Sequence, residues 1–133
     1  MLRHLSTYFS CTQRKLKEKE FFKMAKEKGG DAFGRKDYLD AVYWYSQAIQ
    51  ADPSDEKVLS NRSLCWAQLK EGHLALDDAQ ACVGRKPDWP KAHYREGVAW
   101  NLLKEYEKAT MSFAWALSLD PDNNEIEAAF WAA

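Results

Sequence analysis

Residues 41–53 read AVYWYSQAIQADP, and this stretch decides the fold because the chain repeats its pattern twice more. The corresponding stretches are ALDDAQACVGRKP at residues 75–87 and ATMSFAWALSLDP at residues 109–121. Each stretch begins with alanine, carries a small residue seven positions later and ends with proline. Pro53, Pro87 and Pro121 therefore recur at a constant interval of 34 residues (87 − 53 and 121 − 87). Three such units indicate an internal repeat, and repeats of this length are typical of stacked helical pairs.

Each unit is predicted to be two antiparallel helices. Small residues at Gly29, Ser63 and Gly97, which recur at the same interval, allow the first helix of each unit to approach the second closely. The closing proline cannot continue the second helix and forces a turn. The predicted helices cover about residues 19–34, 38–51, 56–69, 73–85, 90–103 and 106–119, with a capping helix near 123–131. The predicted fold is all-α, a solenoid of three helix-turn-helix units with a C-terminal cap.

The domain organisation follows from this register. Residues 1–18 are predicted to be a flexible N-terminal segment and residues 19–133 a repeat domain, with units at about 22–55, 56–89 and 90–123 and the cap at 124–133. Before Glu18 the chain carries Arg3, Arg14, Lys15 and Lys17 and no acid. This composition is similar to an organelle presequence, and a disordered terminus is the alternative interpretation.

Composition excludes several classes of protein. The 133 residues carry a formal net charge of -1, which argues against a general polyanion binder. Cys11, Cys65 and Cys82 are widely spaced and odd in number, so we expect no disulfide framework, no metal site, no cofactor and a cytoplasmic location. The sequence contains no glycine-rich phosphate loop, nucleophile elbow or paired metal ligands, and the protein is not expected to be an enzyme.

The repeat resembles the tetratricopeptide repeat (TPR) over roughly residues 22–133. The resemblance is carried by the columns of Gly29, Ala41, Ala48 and Pro53, with Tyr38 and Tyr106 at the turns. The related pentatricopeptide repeats, which bind RNA, step by one residue more, so the regular step favours the protein-binding family. The segments SNRSLCW (60–66) and PDWPKA (87–92) look like the TPR module of plant ankyrin–TPR proteins. That likeness implies a fragment or a shortened relative, because no ankyrin units precede the repeats here.

Stacked TPR units curve, and the first helix of each unit lines the concave face. Five cations are predicted to project into this groove beside one acid, a local charge of +4: Lys23, Lys26, Lys57, Lys91 and Arg95 beside Glu27. A groove of this charge favours an acidic partner, with affinity that falls as salt is added.

Some TPR modules carry a carboxylate clamp that holds the C-terminal end of an acidic peptide. Four residues of this sequence match the clamp in type and interval: Lys26, Asn61, Lys91 and Arg95. The resemblance implies that they bind the tails of the ninety- and seventy-kilodalton heat-shock chaperones, which end Glu-Glu-Val-Asp, as in co-chaperones. The predicted secondary contacts are Lys23, Gly30, Phe33 and Lys57, with Phe33 forming an apolar wall for the valine.

One clamp position departs from the family pattern. Four residues after Lys26 the family has a second asparagine, whereas this chain has Gly30. The loss of a hydrogen bond to a carboxylate costs about 1.5–3 kcal/mol, which is roughly a ten- to hundred-fold loss of affinity.

Two other functions remain open from the sequence. A scaffold that binds an internal segment of another protein would be indifferent to a free carboxylate, and an RNA-binding helical repeat would use the Lys-rich groove. The preferred interpretation is a monomer that binds protein, not nucleic acid or membrane.

Outside the groove, Cys65 and Cys82 are interpreted as core residues and the pair Asp77–Asp78 as a solvated face. The tryptophans are interpreted as packing residues: Trp44, Trp66, Trp100, Trp115 and Trp131.

Overall fold

A computed structural model describes the backbone of residues 2–133 and the side chains of residues 11–133. The described chain is entirely helical apart from short turns: α1 (Leu2–Gly34), α2 (Tyr38–Ala51), α3 (Glu56–Gln68), α4 (Gly72–Arg85), α5 (Pro90–Leu102), α6 (Tyr106–Leu119) and α7 (Asn124–Ala132). Consecutive helices pack against each other, and α3 also contacts α5. The predicted fold of three helical hairpins followed by a capping helix is therefore confirmed.

The first helix is longer than the sequence pattern indicates. We expected it to begin at about residue 19, whereas α1 begins at Leu2. Residues 2–28 contain neither glycine nor proline, so nothing in this stretch interrupts a helix once it has formed. Residues 11–20 are all exposed, which places this part of α1 outside the packed core. The predicted N-terminal segment, residues 1–18, lies partly outside the described residues.

The first helix of every unit ends in the same left-handed turn. Lys36, Lys70 and Lys104, which occupy equivalent positions of the three units, have φ angles of 61°, 63° and 62°. In the middle unit the Lys70 N–H donates to the carbonyl of Ala67 and the Glu71 N–H donates to that of Trp66. These paired bonds satisfy the free carbonyls at a helix end and reverse the chain into the second helix. Glycine is the usual residue here, so the sequence signal for this turn is weak.

Two glycines set the separation between helices within the outer units. A Cβ atom at Gly29 would lie 2.6 Å from the ring of Tyr45, and one at Gly97 would overlap the ring of Phe113. Both rings are almost fully buried, with 3% and 1% exposure. The small residue on the first helix therefore leaves room for the aromatic ring of the second, and the predicted close approach of the two helices is confirmed in these units.

We expect Gly97→Ala to lower the free energy of unfolding by about 1–3 kcal/mol, because the added methyl group overpacks a site already filled by Phe113. Gly84→Ala is the matched control, since nothing lies within 4 Å of a Cβ there. That variant should be neutral or more stable by up to about 1 kcal/mol. Urea unfolding followed by circular dichroism measures both, and equal stabilities would contradict this account of the helix contact.

The interpretation of Asp77–Asp78 as a solvated face is wrong for Asp78, which is only 5% exposed. Its two carboxylate oxygens accept hydrogen bonds of 2.7 Å from Nε and one terminal nitrogen of Arg62. The other terminal nitrogen of Arg62 donates to Ser46 Oγ at 3.1 Å, so the network joins α2, α3 and α4. Hydrogen bonding to Asp78 raises the pKa of Arg62 further. A buried acid on a helix is not distinguishable from an exposed one by spacing alone.

The assignment of five tryptophans to packing is also wrong for two of them. Trp115 is 58% exposed and Trp131 is 76% exposed. Trp115 still stacks one face on the ring of His93, with 5.3 Å between centroids. Trp44, Trp66 and Trp100 are partly buried against the core, as predicted. None of the helices in the described part of the chain is both long enough and apolar enough to cross a membrane.

Candidate functional site

The four predicted clamp residues come from three first helices of the hairpins. Lys26 lies on α1, Asn61 on α3, and Lys91 and Arg95 lie one turn apart on α5. We call the surface formed by these residues, with Ser60, Tyr94 and Glu125, the binding face. Two contacts connect its helices: Lys26 lies 3.7 Å from Asp55 at the start of α3, and Arg95 bonds to Ser60 on α3.

Lys26 already has an acidic neighbour. Its Nζ lies 3.7 Å from Asp55 Oδ2, and the two side chains are 39% and 21% exposed. Asp55 also caps α3, because its carboxylate accepts a hydrogen bond of 3.0 Å from the N–H of Val58. An ion pair this open to water contributes at most about 1 kcal/mol. A ligand carboxylate can therefore compete for Lys26 at small cost.

Arg95 is the most constrained cation on the binding face. Its Nε donates to Ser60 Oγ at 3.3 Å, and its guanidinium lies 5.8 Å from the centre of the Tyr94 ring. Ser60 itself is only 1% exposed. Burial lowers the pKa of Arg95, although the nearby Tyr94 and Glu125 oppose the shift. Within residues 11–133 no carboxylate forms an ion pair with this guanidinium, so a partly desolvated charge lacks an ion-pair partner.

The capping helix supplies an acid to the edge of the same surface. Tyr94 donates a hydrogen bond of 3.2 Å to Glu125 Oε1 in the first turn of α7. Burial raises the pKa of Tyr94, and the Glu125 carboxylate raises it further. Counting Asp55 and Glu125 with Glu27 gives three acids against the five predicted cations. The formal balance is thus +2 rather than the +4 expected from the sequence.

Asn61 lies beside a buried tyrosine from the second helix of the first unit. A hydrogen bond from the Asn61 side chain partly offsets the rise that burial causes in the pKa of Tyr45. A Cβ built on Gly30 would lie 4.0 Å from the same hydroxyl, and nothing else is as close. The position where the family carries a second asparagine therefore opens onto the Tyr45 hydroxyl.

The predicted secondary contacts differ in their surroundings. Lys23 and Lys57 are exposed, as is Gly30, so these positions are accessible. Phe33 is partly buried and meets Tyr38 edge to face at 5.7 Å between centroids, at the turn between α1 and α2. Its ring thus already packs within its own unit.

Two open cavities flank Arg95. One of about 390 Å³ lies between α5 and the start of α7, and one of about 370 Å³ lies between α3 and α5. Tyr94, Arg95 and Glu125 line both. The first also includes Trp89, Pro90 and Ile126, and the second includes Leu64, Val98 and Leu102. Each cavity therefore combines apolar walls with a shared polar centre, which is the usual make-up of a ligand pocket.

Sequence reasoning missed three residues of this surface: Tyr45, Asp55 and Glu125. The repeat register carried a signal for Glu125, because it continues the column of Lys23, Lys57 and Lys91. Asp55 was detectable as a helix N-cap just before the apolar positions of α3. Tyr45 gives no such signal, because the direction of its hydroxyl depends on tertiary structure.

The interpretation of Cys65 and Cys82 as core residues is confirmed. Cys65 and Cys82 are fully buried, and burial raises the pKa of their thiols to about 11 and about 12. Thiols of this kind are inert at neutral pH. In the described residues no three His, Cys, Asp or Glu side chains are grouped as metal ligands would be.

No protein-family model matches the chain. Its sequence is 34% identical over 119 residues to the Hsp70-Hsp90 organizing protein of Triticum aestivum, covering 86% of this chain and 20% of that protein. It is 40% identical over 102 residues to the STIP1 homolog of Dictyostelium discoideum, covering 77% of this chain and 18% of that protein. The chain thus spans about a fifth of the length of these relatives.

Solved structures with a similar fold are tetratricopeptide-repeat domains. The first TPR domain of Spaghetti (RPAP3), bound to the HSP90 peptide SRMEEVD, is similar with a TM-score of 0.80 and 27% identity, covering 85% of this chain and 90% of that one. The Arabidopsis OM64 TPR domain is similar with a TM-score of 0.82 and 28% identity, covering 86% and 95%. Both neighbours are matched over nearly their whole length.

Proposed function

Because this chain has the fold of a tetratricopeptide-repeat domain, we propose that it is a co-chaperone-like adaptor that binds the acidic C-terminal tails of ninety- or seventy-kilodalton heat-shock chaperones. The observation that carries the proposal is Arg95, a partly desolvated cation that bonds to Ser60 and has no ion-pair partner in residues 11–133. A bound carboxylate would supply the missing counter-charge.

In the proposed mechanism, Lys26, Lys91 and Arg95 make charge-assisted hydrogen bonds to the α-carboxylate and side-chain carboxylate of a terminal aspartate. Asn61 donates its amide without adding charge. Lys23 and Lys57 attract the preceding glutamates, and Phe33 together with the open position Gly30 adjoins the valine. Asp55 gives up its contact with Lys26 when the ligand binds, since that pair is weak and exposed.

The comparisons support this proposal through the proteins that they name. Relatives at 34% and 40% identity are an Hsp70-Hsp90 organizing protein and a STIP1 homolog, and a fold neighbour at 27% identity has an HSP90 peptide bound. We propose that the role is binding rather than catalysis. The three free cysteines are compatible with a cytoplasmic location, which is part of the proposal.

The proposal is tested by titrating a peptide ending in Glu-Glu-Val-Asp and the same peptide with an amidated C-terminus. Amidation removes one of the charges that the clamp would hold, so affinity for the amidated peptide should fall at least roughly tenfold. Binding of the free peptide should also weaken as salt is raised. Equal affinities would contradict the clamp and favour recognition of an internal segment.

Gly30→Asn is expected to tighten binding of the free peptide by roughly tenfold, because it restores an amide donor near the terminal carboxylate. Position 30 is exposed and a Cβ there meets only the Tyr45 hydroxyl at 4.0 Å, so the side chain fits. Gly30→Ala is the control, because it also stiffens the helix but adds no donor. If alanine tightens binding as much as asparagine, the position does not contact the carboxylate.

A further inference from the structure

Tyr45 and Phe113 occupy equivalent positions of the first and third units, two steps of the repeat apart. Both rings rest on the glycine of the first helix in their own hairpin, at Gly29 and Gly97, with nearly the same close approach. Both are buried, at 3% and 1% exposure. Since a phenylalanine ring fills this place in the third unit, packing there does not require the hydroxyl group that Tyr45 adds.

The hydroxyl of Tyr45 lies beside an exposed position of α1, although the ring belongs to the core. It lies 4.0 Å from where a Cβ of Gly30 would be, and Gly30 itself is exposed. It also interacts with the side chain of Asn61 on α3. A side chain at position 30 would cover this hydroxyl, and the glycine leaves that side of it uncovered.

We propose that the Tyr45 hydroxyl is a ligand-binding group that takes the place of the missing second asparagine and donates a hydrogen bond to the terminal carboxylate of the bound peptide. The proposal rests on the proposed function, because it concerns the same site and the same ligand. It assigns a role to a residue of a second helix, whereas the other proposed carboxylate contacts come from α1, α3 and α5.

The side chains of Tyr45 and Asn61 can both donate a hydrogen bond to the same ligand. In the proposed arrangement Asn61 donates one amide hydrogen to the phenol oxygen, in keeping with the lowering effect of Asn61 on the pKa of Tyr45. The phenol hydrogen and the second amide hydrogen of Asn61 are then both free to point at the ligand. Tyr45 and Asn61 together thus offer two hydrogen-bond donors to the ligand, whereas two clamp asparagines carry four amide hydrogens.

Tyr45→Phe tests the proposal, and the residue at Phe113 indicates that the variant will fold. We expect roughly tenfold weaker binding of the free Glu-Glu-Val-Asp peptide, no change for the amidated peptide and an unchanged melting temperature. In a Gly30→Asn background the same substitution should change affinity less than about twofold, because the new amide donates instead. Titration calorimetry of the four proteins, wild type, two single variants and the double variant, measures this coupling.

The outcomes separate the two proposals. If the wild type distinguishes free from amidated peptide while Tyr45→Phe binds normally, the role of Tyr45 is overturned and the proposed function stands. If Tyr45→Phe weakens both peptides equally, or weakens binding to the same degree with Asn at position 30, its effect is structural and the proposal is overturned. If the wild type does not distinguish the two peptides, both proposals fail.

Discussion

Replacing Arg95 with methionine is expected to weaken binding of the free acidic peptide by at least roughly thirtyfold, the largest effect of any single groove substitution. Arg95 is half-buried, and burial lowers its pKa, so it interacts with a carboxylate in a less polar setting than the exposed Lys91 does. Methionine keeps much of the side-chain volume and removes the charge. Fluorescence polarisation of a labelled Glu-Glu-Val-Asp peptide measures the loss.

The Arg95→Met variant should keep its thermal stability although it binds the peptide more weakly. Arg95 bonds to Ser60 but has no ion-pair partner in the described residues, so methionine removes a desolvated charge without leaving a buried carboxylate unpaired. We therefore expect a melting temperature equal to or above that of the wild type, as is common when a binding site carries strain. Arg35→Met is the control, since Arg35 pairs with Asp40 on an exposed turn. A comparable loss of affinity in that variant too would indicate a general charge effect.

Asp78→Ala is expected to lower the free energy of unfolding by about 3 kcal/mol, because it leaves the guanidinium of Arg62 without its bidentate partner. The side chains of Arg62 and Asp78 are 22% and 7% exposed, so water replaces the lost bonds poorly. Urea unfolding measures the change. Asp77→Ala is the matched control: the neighbouring residue is an exposed aspartate on the same helix, and its replacement should change the free energy of unfolding by no more than about 0.5 kcal/mol.

A second variant distinguishes the loss of the ion pair from the loss of the aspartate. The double change Arg62→Met with Asp78→Leu replaces both charges with apolar groups of similar size. It should recover most of the stability, since a buried pair exchanged as a whole is often close to neutral. If Asp78→Ala and Asp77→Ala lose the same free energy, the network of Arg62 does not stabilise the hairpin stack.

The fold could be predicted from the sequence because each unit repeats the same pattern of small residues and a closing proline at the same spacing. The six hairpin helices, apart from the start of α1, begin and end within one position of their predicted bounds. The extension of α1 to Leu2 could not be predicted from the repeat, because that segment precedes the first repeat unit and has no equivalent in the other units. The left-handed lysines were missed for a different reason: lysine is not a residue typical of that conformation.

The sequence predicts which residues form the candidate site but not how they pair. Position in the repeat indicates which helix carries Lys26, Asn61, Lys91 and Arg95. It does not indicate that Asp55 pairs with Lys26 or that Glu125 approaches the binding face, because both come from the ends of neighbouring helices. The formal charge of the groove expected from the sequence was therefore too positive.

The sequence by itself determined the period, the small residues that let helices touch and the gathering of basic side chains on the first helices. These depend on intervals along the chain, which a regular helix converts directly into direction. Only the tertiary structure decided which aspartate is buried, which cation lacks a partner and where the hydroxyl of Tyr45 ends. Those properties depend on distances between residues of different helices, which lie far apart in the sequence, and packing between the helices sets them.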